Sequence, residues 1–222
     1  FRNCHMTIPE GAELIKKAKS SSKNVFVETC PHYLLFDNTI LREKKAYAKC
    51  NPPMRSRDRV EKLWEYIFDG TIDTIGSDHG PYSDEEKIQN NNFWKEHSGF
   101  GGYDVMLAAL VSEGVHKRGL PLTRLAALLS GNVAKVMDLY PKKGNLLPGA
   151  DADIVVLDLD HRWVYDGAKS FSKTKSVKGI YQNMEFNAKV EQTYVRGELI
   201  FKDDNIIGEA GYGAYVPRQR NI

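Results

Sequence analysis

The chain has 222 residues, 41% hydrophobic and 27% charged, with 31 basic and 29 acidic side chains and a formal net charge of +2. That composition is ordinary for a globular protein with a real core. The balanced charge, with no basic run longer than Lys142-Lys143 or Lys16-Lys17, argues against an electrostatic nucleic-acid binder. No apolar stretch approaches the roughly 18 residues that cross a membrane, and no signal peptide is visible. Three cysteines without C-x-x-C spacing (Cys4, Cys30, Cys50) read as free thiols in a reducing, cytoplasmic compartment. The chain starts Phe-Arg-Asn-Cys-His, inside an element, and is read as the carboxyl-terminal part of a longer protein.

Asn3-Cys4-His5 reads as the end of a strand. Thr7 is placed as an N-cap, with Pro9 and Glu10 in the first helical turn and Ala12, Ile15 and Ala18 on one apolar face. The run Ser20-Ser21-Ser22 ends that helix. Val25-Phe26-Val27 is a short buried strand running into Glu28-Thr29-Cys30-Pro31-His32, so strand, helix and strand predict a parallel sheet. Residues 37–59 read mostly as loop, stiffened at Asn51-Pro52-Pro53 because each proline fixes its own φ and restricts its predecessor. Val60, Leu63, Trp64, Ile67 and Phe68 fall at helical spacing over about 57–69, with Gly70 as the residue after the cap. A strand over 71–77 follows and stops on Gly76-Ser77-Asp78-His79-Gly80-Pro81. Residues 83–98 are polar and turn-rich. Helices are predicted from Tyr103 to about His116, from Pro121 through Leu128 and from Asn132 to Leu139. Beyond Tyr140-Pro141 the pieces are β-rich: an apolar strand through Ile154–Asp158, and Val190 to Lys202 turning at Arg196-Gly197. A boundary is placed near 141, and the tail from Gly208 to Ile222 lies on a surface or reaches a neighbouring subunit.

His5, His32, Asn51, Asp78 and His79 all follow strands, and in a parallel barrel such positions converge on one rim. His5 and Asp78 are residue types that a divalent metal takes from nitrogen and oxygen donors. Two ligands are fewer than the three a hydrolytic zinc site needs. None of the six histidines forms H-x-H or H-E-x-x-H, so a plain Asp-initiated turn stays open for Asp78. Ser77, Asp78 and His79 are adjacent and point to alternate faces, which excludes a serine triad. Cys30 is read as packing. Ser98-Gly99-Phe100-Gly101-Gly102 is either a helix-entry loop or an anion cradle, but no P-loop, since no Gly-Lys-Ser/Thr follows.

Six stretches carry a resemblance. They are Cys4-His5-Met6-Thr7, Glu28-Thr29-Cys30-Pro31-His32-Tyr33-Leu34, Lys49-Cys50-Asn51-Pro52-Pro53-Met54-Arg55, Ile75-Gly76-Ser77-Asp78-His79-Gly80-Pro81, Leu139-Tyr140-Pro141-Lys142-Lys143-Gly144 and Gly149-Ala150-Asp151-Ala152-Asp153. In this order they resemble the cyclic amidohydrolases: allantoinases, hydantoinases or dihydropyrimidinases, and dihydroorotases. The stretches around Glu28–Leu34 and Gly70–His79 look most like allantoinases, while Asn51-Pro52-Pro53 also occurs in dihydroorotases.

The resemblance implies an α/β fold: the carboxyl-terminal part of a (β/α)8 TIM-like barrel, about strands 6–8, over residues 1–141. A small β-sandwich domain (142–207) and a tail (208–222) follow. It implies that His5 binds one metal of a binuclear centre, two Zn2+ in the complete site. Asp78 would bind the other and serve as general base toward the bridging hydroxide. Asn51, Ser98 and Gly99 would contact a small cyclic amide or ureide substrate, in a homo-oligomer, dimer or tetramer. His32 is no ligand in the pattern and is expected to be a buried, hydrogen-bonded histidine. The family's first-strand H-x-H, its bridging carboxylated lysine and its fifth-strand histidine are not in this chain. The 222-residue polypeptide by itself is therefore expected neither to close a barrel nor to hydrolyse a substrate. Gly80 stands where relatives often carry serine or cysteine. A non-catalytic scaffold relative is the alternative from another class, and the retained His5 and Asp78 weigh against it.

Overall fold

Three short parallel strands carry the amino-terminal half in the order β1-β2-β3: β1 (Arg2–Asn3), β2 (Phe26–Thr29) and β3 (Thr74–Ile75). The computed structural model describes residues 1–21 and 23–218. Arg2 stands opposite Phe26, and Glu28 opposite Thr74. Helix α1 (Pro9–Ser20) crosses from β1 to β2, and α4 (Arg57–Phe68) precedes β3, so the strands run the same way as the alternating sequence predicts.

The strand predicted over 71–77 is narrower than expected. The Ile72 amide donates back to Tyr66 O in α4, and only Asp73 and Gly76 extend the pairing with β2, through Val27 O and Thr29 O. Thr7 is not the cap of α1. Ile8 holds that position without a side-chain bond, and the Thr7 hydroxyl accepts from Arg55 Nε at 3.1 Å. Ser22, from the serine run expected to end α1, lies outside the described residues.

Helix α2 (Pro31–Leu35) follows β2, and the segment expected as loop, residues 37–59, holds α3 (Ile40–Lys44) and a 3-10 turn (Lys45–Ala48). Asp37 starts α3 locally, accepting from the Thr39 amide at 2.9 Å and the Thr39 hydroxyl. Such turns rest on side-chain chemistry and are too short to show a period.

Val60, Leu63, Trp64, Tyr66 and Ile67 form the buried face of α4, whereas Phe68 is half exposed. Burying each large apolar side chain is worth about 1.5–3 kcal/mol. Trp64 Nε1 donates to Leu34 O, which joins α4 to α2. The helix read from Tyr103 begins at Met106, and the two read from Pro121 and from Asn132 form one continuous run that ends at Val136. Helix α6 (Met106–Leu110) runs on as a π segment (Val111–His116). Helix α7 (Leu122–Ala126) continues through a π segment (Ala127–Gly131) into α8 (Asn132–Val136). Arg124 donates to Ile67 O and Ile72 O, and Asn132 to Asp73 O, so this run fixes the entry into β3.

After residue 141 the sheets are antiparallel. Strands β4 (Ile154–Asp158), β7 (Lys189–Val195), β8 (Glu198–Lys202) and β9 (Asn205–Ile206) form one sheet, and β5 (Trp163–Val164) pairs with β6 (Glu185–Phe186). The β7–β8 hairpin turns at Arg196 (φ 49°) and Gly197 (φ 84°), as the sequence predicts. The buried apolar cluster runs from Met6 and Val27 through Leu63 and Leu110 to Phe186 and Ala188, so it spans both sheet types. Tyr212 packs on Arg196 of that hairpin. Residues 219–222 of the tail lie outside the described residues. Among the described residues no helix is long and apolar enough to cross a membrane.

Candidate metal and substrate site

His5 and Asp78 stand just past the carboxyl ends of β1 and β3, on either side of β2. Both adopt left-handed backbone, His5 at φ 59° and Asp78 at φ 48°. This conformation is uncommon for residues with a side chain and is found at functional sites. The main chain anchors both: Met6 donates to Glu28 O at 2.8 Å and Gly76 to Thr29 O at 3.0 Å. His5 Nδ1 comes to 4.0 Å from Asp78 Oδ1 and 3.5 Å from Cys30 Sγ. One donor atom each from His5, Cys30 and Asp78 lie within 4.8 Å of one another.

The electrostatics follow from burial. Asp78 is partly buried, which lifts its carboxyl above the usual range. His5 opposes that lift and Glu28 adds to it. Glu28 is itself held under the site by Arg2 and by the Thr74 hydroxyl. Burial pushes the Cys30 thiol up, with the Asp78 and Glu28 carboxylates adding, so it is kept protonated.

His32 is buried as expected, but the hydrogen bond expected for it is not found. Neither ring nitrogen has a partner among the described residues. Its ring packs edge-on to Tyr33 and Phe100, and Nε2 stops 3.9 Å from Asp78 Oδ2. Burial, with His5 beside it, pushes its pKa down to about 3. The ring is therefore neutral.

Asn51, Ser98 and Gly99 form a second group alongside. Asn51 Nδ2 donates to Ser98 Oγ at 3.0 Å, and the Gly99 amide donates to Lys49 O at 2.9 Å. Gly99 has φ 110°, and a Cβ there would meet Gly80 O at 3.1 Å, so the close approach of these two loops needs glycine. The Gly80 amide donates to Phe100 O, which lays this group beside the Asp78 loop. A Cβ at Gly80 itself would meet only ordinary contact, with Gly99 Cα at 3.6 Å.

Sequence reading missed two features. Cys30 packs in the core as read, yet its sulfur also faces His5. Lys87 and His79 hold the loop from the inside: His79 Nδ1 accepts from the Gly102 amide at 3.2 Å, and Lys87 Nζ donates to His97 O at 2.8 Å. Nothing in Asp84-Glu85-Glu86-Lys87 marks that lysine as buried, since such a run reads as a solvated turn.

The donor set fits a divalent cation. An imidazole nitrogen and a carboxylate oxygen stand 4.0 Å apart and are donor types that such ions take. The partly buried carboxylate also gains from a positive neighbour.

The sequence model of the amidohydrolase family matches residues 1–200. The chain belongs to the amidohydrolase family. It is 34% identical over 216 residues to an L-hydantoinase of Paenarthrobacter aurescens, covering 97% of this chain and 47% of the relative. It is 35% identical over 216 residues to an allantoinase of Rubrobacter xylanophilus, covering 97% and 46%. Among solved structures it superposes on the L-hydantoinase (dihydropyrimidinase) of Arthrobacter aurescens with a TM-score of 0.91 at 33% identity, covering 98% of this chain and 48% of that one. A D-hydantoinase crystal structure superposes with a TM-score of 0.90 at 28% identity, over 98% and 48%. The chain thus spans about half the length of the amidohydrolases it matches and shares the family's barrel fold over that half.

Proposed function

We propose that this chain supplies part of the active site of a metal-dependent enzyme that opens a cyclic amide or ureide ring by hydrolysis. The observation that carries the reading is the convergence of His5 and Asp78, both left-handed, at the ends of the two strands flanking β2. Hydantoinases and allantoinases stand at near-equal identity to the chain, so the proposed substrate class is the cyclic amide or ureide; a dihydroorotase-like substrate is the second reading.

In this reading His5 and Asp78 hold the divalent metals, two Zn2+ per complete site, and the remaining ligands come from outside the chain. Bound metal supplies positive charge that polarises the ring carbonyl and acidifies the attacking water. Asp78 accepts a proton from that water on its carboxylate and returns it to the leaving ring nitrogen. Asn51 and Ser98 present hydrogen-bonding groups to the ring, and Gly99 does so through main chain. Neutral His32 packs beside the Asp78 carboxylate, its Nε2 3.9 Å from Oδ2.

The division into barrel part (1–141), β-sandwich (142–207) and tail (208–222) is proposed with the same reading, supported by the change from parallel to antiparallel pairing. A homo-oligomer, dimer or tetramer, in the cytoplasm is proposed as well. Exposed apolar side chains such as Leu146 and Tyr215 support an assembly surface.

The test is a panel of hydantoin, allantoin, dihydrouracil and dihydroorotate offered to the full-length protein. Turnover that a chelator abolishes and a divalent metal restores is the expected result. No ring opening with any of the four, at full metal content, would favour the non-catalytic scaffold.

A further inference from the structure

Lys87 is the one buried lysine or arginine among the described residues, 3% exposed. Its ammonium serves main-chain carbonyls. It donates to Lys49 O at 3.3 Å, to His97 O at 2.8 Å and to Gly99 O. The rings of Tyr82 and Phe100 lie over it with centroids at 5.7 and 6.0 Å. Lys49 O is shared, because it also accepts from the Gly99 amide. Lys49 Nζ in turn donates to Trp94 O and Glu96 O, so two ammonium groups gather the carbonyls of the 94–99 segment.

The helix that presents Lys87 is firmly held. In α5 (Asp84–Lys87), Ser83 and Glu86 form a reciprocal capping box. The Asp84 carboxylate accepts from the Ser176 hydroxyl and the Val177 amide of the β-rich part.

We propose that Lys87 is a positioning residue for the ring-binding wall. By drawing the carbonyls of Lys49, His97 and Gly99 to one point, it sets the separation of Asn51 from Ser98 and Gly99. The inference rests on the reading above, in which those three residues contact the substrate. The Asn51–Ser98 bond is an exposed contact between two separate loops and cannot fix their spacing alone. Hydrogen bonds from an ionised donor are roughly twice as strong as neutral ones. The residue type also fits. A compact ammonium carries three rotatable donors and can serve three carbonyls at one point, whereas a planar guanidinium cannot converge in that way.

The test compares wild type, Lys87→Met and Lys87→Arg in the full-length protein. Hydrogen exchange of the Gly99 amide is expected to quicken by at least about tenfold in Lys87→Met, while the amides of α4 keep their protection. With hydantoin or allantoin as substrate, kcat/KM is expected to fall by roughly tenfold to a hundredfold, carried mainly by KM, at unchanged metal content. Lys87→Arg is expected to show the same effects in weaker form, and it carries the test if Lys87→Met does not fold. Unchanged Gly99 exchange, or an unchanged KM in a turning-over enzyme, overturns the proposal. Faster Gly99 exchange in a protein whose wild type opens no ring overturns the functional reading and leaves the loop-positioning role supported.

Discussion

His5 Nδ1 stands 4.0 Å from Asp78 Oδ1, although the two residues end different strands with a third strand between them. The backbone is left-handed at both residues. If the pair holds metal and Asp78 moves the proton, then Asp78→Asn should lower turnover by about 10²- to 10⁴-fold. His5→Ala should lower metal content as well as turnover. Cys30→Ala should leave metal content unchanged, because the reading assigns the metals to His5 and Asp78 and not to the sulfur beside them. Metal analysis beside ring-opening rates on the full-length variants decides this. A Cys30→Ala protein that loses metal would instead make the sulfur a ligand.

Gly76 carries a steric duty beneath the site. A Cβ there would lie 2.8 Å from the Glu28 carboxyl carbon and 2.9 Å from its Oε1. Glu28 is tied to Arg2 and Thr74 and has little room to move. Gly76→Ala should therefore destabilise by about 1–3 kcal/mol, the usual cost of overpacking. A denaturant midpoint unchanged from wild type would show that Glu28 swings aside freely.

Burial holds the Lys87 ammonium down to about 8, against an ordinary 10.5. The neighbouring Cys50 opposes that shift and Lys49 adds to it; of the other groups against it, Tyr82 presents its ring. Between those two values the unfolded chain binds more protons than the folded one. Stability therefore gains as pH rises through that window, and below it the full cost of burying the charge is present. Lys87→Met lacks this effect. The unfolding free energy of wild type minus variant should climb by up to about 3 kcal/mol between roughly pH 8 and 10.5. Denaturant titrations of both proteins across that range measure it, and the subtraction removes tyrosine and cysteine titrations common to both. A flat or falling difference would mean the lysine is solvated.

The Arg196-Gly197 turn offers a cleaner stability measurement. Gly197 has φ 84° and a Cβ would meet nothing within 4 Å. Gly197→Ala should cost about 1 kcal/mol through backbone strain alone. Turnover should stay at the wild-type level, since the hairpin lies in the antiparallel part.

By itself the sequence determined the alternation of strands and helices in the first half. It determined the β-rich second part, the hairpin at Arg196-Gly197, the α4 face from Val60 to Ile67, and the residue types His5, Asp78, Asn51 and Ser98 at strand and loop ends. These are local facts, carried by periodicity, by turn chemistry and by motif order. Tertiary structure alone decided which polar groups meet. Cys30 reads as core and is core, yet strand order also brings its sulfur against His5. His32 reads as a hydrogen-bonded histidine, but the rings of Tyr33 and Phe100 pack against it and neither nitrogen finds a partner among the described residues. Lys87 reads as one charge in an acidic turn and is buried under the loop that carries Ser98 and Gly99. A sequence period states which face a residue occupies. The distance across that face depends on how strands are ordered and on backbone angles such as those of His5 and Asp78, and no local pattern encodes either.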